Sequence, residues 1–207
     1  MTQVLVDNHQ LEITISGFGG QGVILMGQVL GKAALHDGRH AILAQNYGPE
    51  ARGSACRADL IIASAPIDYP RVKSPRVLIA LSQDGYTQNR HSLVGDGLLL
   101  YEQDLVKLDE ADGPAASQAT APLNGHGRKN GLARTRLEAI PATRLAEELG
   151  GRIMTNMVML GFCIGRTGIV SPEAVERAIR ESVPRGTEAR NLASFGRGMD
   201  YARTLAS

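Results

Sequence analysis

The sequence predicts an α/β fold in which a mostly parallel β-sheet carries helices on both faces. A strand is indicated by the β-branched alternation over Leu11–Ser16, a glycine-rich turn follows it, and an apolar-periodic helix covers Gln21–Leu35. A strand, a glycine turn and a helix in this order are typical of a Rossmann-like domain. A chain of 207 residues suits a single such domain, over residues 1–207.

The rest of the chain alternates between predicted strands and helices. Further strands are expected at His40–Gln45, Cys56–Ala63, Val77–Leu81, Gly97–Tyr101 and Leu137–Ile140. Further helices are expected at Asp84–His91, Thr143–Leu149, Thr155–Gly165, from Ser171 onward, and at Glu188–Leu205. The second strand should be buried and parallel to the first. Residues 109–136 show no sustained period and predict a flexible surface insertion.

Composition excludes several classes of function. The net charge is +1, from 22 basic and 21 acidic side chains, which provides no strong field for nucleic acid or an anionic membrane. No stretch reaches membrane-spanning length, and Met1–Gln10 does not read as a secretory signal, so a cytoplasmic protein is expected.

The cysteine content bounds the redox chemistry. The two cysteines, Cys56 and Cys163, lie far apart without metal-ligand spacing, and an iron–sulfur cluster needs more thiolates than this chain has. Any clusters should therefore sit on other chains, and no metal site is expected here. Cys56 is interpreted as a small core residue.

The glycine-rich turn is the main candidate site. Gly17, Gly19 and Gly22 satisfy the GxGxxG pattern, and Gly20 and Gln21 complete the turn. Without Cβ atoms a phosphate can approach the backbone, where free N–H groups and the helix dipole stabilise its charge. The alternative is a glycine turn needed only for close packing of helix against strand.

An NAD site would require one further residue. NAD-binding domains carry an acidic residue about twenty positions after the turn, at the end of the second strand. That place holds Gln45 and Asn46, while Asp37 lies before the strand. An autonomous NAD- or flavin-dependent oxidoreductase is therefore disfavoured but remains an alternative.

Three blocks of sequence carry a family resemblance. They are GFGGQGVILMGQVLGKAA from Gly17, YGPEARGS over Tyr47–Ser54, and PIDYP from Pro66 leading to VLIALSQDGY. Weaker matches are GDGLLLYE, NMVMLG over Asn156–Gly161, and Asn191–Gly198. Together they resemble the gamma subunit, or gamma domain, of 2-oxoacid:acceptor (ferredoxin) oxidoreductases.

The resemblance implies a function for a complex rather than for one chain. The family converts a 2-oxoacid and coenzyme A to an acyl-CoA and carbon dioxide, and electrons pass to ferredoxin or to an NAD-linked acceptor subunit. Thiamine diphosphate with magnesium and the iron–sulfur clusters would lie on alpha, beta and cluster-bearing delta partners, and this chain would be inactive alone. 2-Oxoglutarate is the first expectation for the substrate, with pyruvate, branched-chain and aryl 2-oxoacids such as phenylglyoxylate open.

The gamma element is implied to help bind coenzyme A and to close over the active site. The residues expected at this site are Gly17, Gly19, Gly20, Gln21 and Gly22 in the turn, with Tyr47 and Arg52 from the second block; none is expected to be catalytic. Arg52 would provide the positive charge for the phosphates of coenzyme A. An internal ion pair between Arg52 and Glu50, and a purely structural subunit, are the alternatives.

Overall fold

The computed structural model of the chain describes residues 10–47, 55–109 and 135–205. Its sheet comprises β1 (Gln10–Phe18), β2 (His40–Tyr47), β3 (Ala55–Ala63), β4 (Val77–Ala80), β5 (Leu98–Glu102) and β6 (Arg136–Ile140). Its helices are α1 (Val23–His36), α2 (Gln83–Asn89), α3 (Ala142–Glu148), α4 (Thr155–Thr167), α5 (Pro172–Ser182) and α6 (Glu188–Thr204). Short 3₁₀ turns precede β5 and α4, at Arg90–Ser92 and Arg152–Met154.

The strands lie in the order β2-β3-β1-β4-β5-β6. The pairings of β1 with β4, β4 with β5 and β5 with β6 are parallel, whereas β3 is antiparallel to both β1 and β2. All strands except β3 therefore point the same way, which confirms the predicted α/β domain with a mostly parallel sheet.

The position of β2 differs from the prediction. It points the same way as β1, but β3 lies between them, and β2 is a partly exposed edge strand rather than a buried one. The connection from β2 to β3 spans only residues 48–54, and so short a connection permits an antiparallel neighbour but not a parallel crossover. β3 consequently occupies the place beside β1.

Helices lie on both faces of the sheet, but unequally. On the larger face, α1 packs on β1, β2 and β3, and α4 packs against α1, α3 and α6. The core there includes Ile13, Ile15, Leu60, Ile79 and Phe162. On the other face α2 packs on β1 and β4, and a smaller cluster surrounds Tyr86. Every residue of α4 from Thr155 to Ile164 is buried within the chain, so core packing accounts for its apolar character.

Helices α4 and α6 approach closely at two glycines. A Cβ atom added to Gly161 would collide with the carbonyl oxygen of Phe195, and one added to Gly198 would collide with that of Val158. The two helical backbones are therefore in direct contact. These glycines belong to two of the three weaker blocks of the family resemblance, Asn156–Gly161 and Asn191–Gly198, and the structure shows that they serve packing.

The predicted start of α5 is confirmed. The Ser171 hydroxyl caps the helix by accepting from the Ala174 N–H at 3.2 Å, and it donates to Asp37 Oδ1 at 2.6 Å. Residues 110–134 of the predicted insertion lie outside the described residues, and β6 already begins at Arg136. Within the described ranges no helix has the length and apolar character needed to cross a membrane.

Candidate functional site

Several predicted site residues meet at one edge of the sheet. Gly17 at the end of β1 is opposite Cys56 of β3, and Cys56 is opposite Tyr47 of β2. Phe18 is likewise opposite Ala55, the first residue of β3. Tyr47 and Ala55, which flank residues 48–54 in the sequence, therefore both lie beside the glycine turn. Arg52 itself lies outside the described residues.

The glycine turn presents the N-terminus of α1 without a side-chain cap. Gly20 and Gly22 have φ values of 98° and 72°, in the left-handed region that favours glycine. Gly22 is the N-cap residue of α1, and no side chain makes a capping hydrogen bond there. The first turn of α1 also carries no acidic residue. Its leading N–H groups and the positive end of the helix dipole are thus suited to an anion.

Gln21 holds the turn in place. Its Oε1 accepts from the Phe18 N–H at 2.7 Å, and its Nε2 donates to the Leu81 carbonyl at 2.9 Å. A Cβ atom on Gly17 would come within 2.6 Å of the same Oε1. Both ends of the Gln21 amide are therefore engaged inside the protein, and they tie the turn to β1 and to the end of β4.

Asn156 supports the turn from α4, and sequence reasoning missed it. The side chain is 3% exposed, its Nδ2 donates to the Gly22 carbonyl at 3.3 Å, and its Oδ1 accepts from the Met157 N–H at 3.0 Å. The amide fills the space where a Cβ of Gly22 would project. The available signal was an amide in an otherwise apolar run of α4.

A cavity of about 300 Å³ opens beside the turn on the α2 face. It is lined by Ser16, Gly17, Asn46, Tyr47, Ala55, Cys56, Arg57, Gly85, Gln88 and Asn89. Tyr47 is 67% exposed, and its hydroxyl donates to Gln45 Oε1 at 2.7 Å. Two of the predicted site residues, Gly17 and Tyr47, thus share one cavity.

Arg57 is a second residue that sequence reasoning missed. Its Nε donates to both carboxylate oxygens of Asp59 at 2.8 and 2.9 Å, and its Nη1 donates to Asn89 Oδ1 at 2.8 Å. Thr14 also donates to Asp59, at 2.7 Å. The signal was an Arg-x-Asp pattern, which places both side chains on the same face of a strand.

Both cysteines are buried. Cys56 is 6% exposed, and burial raises the pKa of its thiol. Burial also raises the pKa of the Cys163 thiol to about 12, although its contact with Thr167 works in the opposite direction. Burial thus favours the neutral thiol at both positions, whereas a reactive cysteine has a lowered pKa.

The folded chain should therefore react slowly with a disulfide reagent such as DTNB at pH 8. The same chain in guanidinium chloride should titrate as two thiols at once, and absorbance at fixed time points measures both. Because the pKa of Cys163 rises from 9.0 to about 12 on folding, its neutral form favours the folded state. That contribution is full below pH 9 and is lost as the pH rises toward 12. Rapid stoichiometric labelling of folded Cys163 would contradict this.

The geometry disfavours an NAD site. In dinucleotide-binding domains the second strand lies beside the first and supplies the ribose-binding acid. Here β3 separates β2 from β1, and the end of β2 carries Gln45 and Asn46. Asp37 follows α1 and accepts from the Ser171 N–H at 2.6 Å, so it is engaged elsewhere.

Comparison with known sequences identifies close relatives. The chain is 41% identical to the 2-oxoglutarate synthase subunit KorC of Methanocaldococcus jannaschii, over 94% of this chain and 95% of that one. It is 44% identical to the KorC subunit of Methanothermobacter thermautotrophicus, over 91% and 93%. The ketoisovalerate oxidoreductase subunit VorA of the latter organism is 31% identical, over 83% of this chain and 31% of VorA.

Solved structures share the fold. The gamma subunit of a keto/oxoacid ferredoxin oxidoreductase from Geobacter sulfurreducens matches with a TM-score of 0.76 and 32% identity, over 95% of this chain and 98% of that one. A 2-oxoglutarate:ferredoxin oxidoreductase from Magnetococcus marinus matches with a TM-score of 0.75 and 18% identity, over 96% of this chain and 32% of that one. A family model described as pyruvate ferredoxin/flavodoxin oxidoreductase covers residues 12–201. The resemblance to the gamma subunits is thus confirmed, and the chain belongs to the pyruvate ferredoxin/flavodoxin oxidoreductase family.

Proposed function

We propose that this chain is the gamma subunit of a complex that oxidatively decarboxylates 2-oxoglutarate and transfers the acyl group to coenzyme A. The choice of substrate is supported by the relatives at 41% and 44% identity, which are subunits of 2-oxoglutarate synthases. The similarity is lower to a ketoisovalerate oxidoreductase subunit at 31% and to a pyruvate synthase subunit at 27%.

The role of the chain in this reaction is to bind coenzyme A and to close over the shared active site. One observation carries this proposal: the uncapped glycine turn lies at the same edge of the sheet as Tyr47 and Ala55, the two residues that flank residues 48–54. The pyrophosphate of coenzyme A suits the N–H groups of the turn, and Arg52 in the loop would add a guanidinium.

The redox and decarboxylation chemistry is assigned to partner chains in the cytoplasm. Thiamine diphosphate held with magnesium by alpha and beta partners would supply the decarboxylation chemistry, and clusters on a delta partner would pass electrons to ferredoxin or an NAD-linked acceptor subunit. The chain has only two cysteines, the buried Cys56 on β3 and Cys163 on α4, and two thiolates are too few to hold a cluster alone. The isolated chain should accordingly be inactive, and activity should return when the partners are added.

Replacing Arg52 by alanine should raise the KM for coenzyme A about tenfold and leave kcat nearly unchanged, because a charge-assisted hydrogen bond to phosphate is lost. The measurement is the rate of the assembled complex against the concentration of coenzyme A. Arg180→Ala, at an exposed position of α5, is the matched control for losing a surface arginine.

Glu50→Ala separates the ligand contact from an internal ion pair. If Arg52 only held the loop through Glu50, both variants would change the KM alike. An unchanged dependence on coenzyme A in a correctly assembled Arg52→Ala complex would contradict the assignment. If other variants of this edge were equally without effect, the chain would be a structural subunit.

A further inference from the structure

A second cation lies beside the glycine turn, at the start of β3. We propose that Arg57 binds the 3′-phosphate of coenzyme A and that the cavity on the α2 face holds its nucleoside end. This inference rests on the proposed function, because it states which end of coenzyme A binds on the α2 side of the sheet edge.

Arg57 presents positive charge to the cavity although it is paired with a carboxylate. Its side chain is 32% exposed and lines the cavity, whereas Asp59 is 11% exposed and does not belong to the lining. Asp59 is also occupied by the hydroxyl of Thr14. The negative partner is therefore engaged within the protein, while the cation is accessible to a ligand.

The guanidinium is held in one orientation before any ligand arrives. Asp59 fixes Nε, and Asn89 fixes Nη1. Asn89 is itself anchored to α2, because its Nδ2 donates to the Gly85 carbonyl at 2.8 Å. Among the described residues Nη2 has no hydrogen-bond partner, which leaves donors for a phosphate. A prearranged guanidinium loses less conformational entropy when it binds.

The size and lining of the cavity favour the nucleoside end. A volume of about 300 Å³ lies at the lower end of the range for small-molecule pockets, so the cavity fits one end of coenzyme A rather than the whole molecule. Asn46 and Gln88 line it together with the exposed Tyr47, and amides and an aromatic ring suit a nucleobase. The uncharged pantetheine arm would make no use of a guanidinium.

The test removes the 3′-phosphate from the ligand and the guanidinium from the protein. In the assembled wild-type complex, the affinity for coenzyme A should be at least about tenfold higher than the affinity for dephospho-coenzyme A. Arg57→Gln should lower the affinity for coenzyme A to that for dephospho-coenzyme A, and it should leave the affinity for dephospho-coenzyme A unchanged. Isothermal titration measures both affinities, and the KM for each ligand provides a second readout.

A folding defect of the variant and a failure of the proposed function can both be told apart from a failure of this inference. If Arg57→Gln leaves Asp59 uncompensated and the complex does not assemble, the Arg57→Gln/Asp59→Asn variant removes both charges and is tested instead. Equal weakening of both ligands, or no change in either, overturns the role of Arg57. If Arg52→Ala raises the KM in the same series, only this inference fails; if neither variant affects coenzyme A, the proposed function fails as well.

Discussion

Replacing Gly198 by alanine is expected to lower the free energy of unfolding by about 2 to 4 kcal/mol, a large loss for the addition of one methyl group. The added methyl group would collide with the Val158 carbonyl oxygen, and it would lie 2.8 Å from the Phe162 nitrogen. Both are backbone atoms of α4, so no side chain can rotate away. The contact between α4 and α6 must open instead.

Urea denaturation of the purified chain, followed by circular dichroism, measures this loss. Gly196→Ala is the matched control in the same helix, because a Cβ at Gly196 meets nothing within 4 Å. Alanine there should raise the free energy of unfolding by up to about 1 kcal/mol, since it favours the helix more than glycine does. Equal effects of the two substitutions would show that α4 and α6 do not touch at Gly198.

The second large effect is expected at the glycine turn. Gly22→Ala should lower the free energy of unfolding by about 2 to 3 kcal/mol, because two costs add. Gly22 has a φ of 72°, which an L side chain rarely adopts, and the new Cβ would take the place of the Asn156 amide. Displacing that buried amide removes its hydrogen bond to the Gly22 carbonyl. In the assembled complex the affinity for coenzyme A should fall too.

Two further variants separate the two costs. Gly20 has a φ of 98° but open space around its Cβ position, so Gly20→Ala should show the backbone strain alone, about 1 kcal/mol. Asn156→Ala makes room beside Gly22, and its combination with Gly22→Ala should cost less than the sum of the single changes. Strict additivity in this double-mutant cycle would mean that Asn156 does not occupy the position next to Gly22.

Much of the local architecture could be predicted because its causes lie close together in sequence. The turn from Gly17 to Gly22 follows a β-branched strand and precedes a periodic helix, and both patterns act within a few residues. Ser171 with Pro172 marked the start of α5 for the same reason, since a cap and its helix are neighbours. Strand ends differed from the predictions by only one or two residues.

The strand order could not be predicted in the same way. The apolar run at β2 reads as a buried strand, yet whether it lies beside β1 depends on competition with β3 for the same backbone donors and acceptors. The short 48–54 connection favours the antiparallel pair. The partners of Arg57 and Asn156 could not be predicted from the sequence either. Arg57 contacts Asn89 on α2, and Asn156 contacts Gly22, which lies more than a hundred residues away in the sequence.

The sequence alone was enough to predict the fold class, the glycine turn and the membership of the family, since each depends on patterns in contiguous residues. It also places Gln45 and Asn46 where an NAD site needs an acidic residue, and this by itself weakens the NAD interpretation. Tertiary structure was needed to bring Gly17 and Tyr47 to one edge, to engage Gln21 inside the turn and to place Arg57 in the adjoining cavity. Those arrangements come from long-range strand pairing and helix packing, whose energies depend on which distant segments meet.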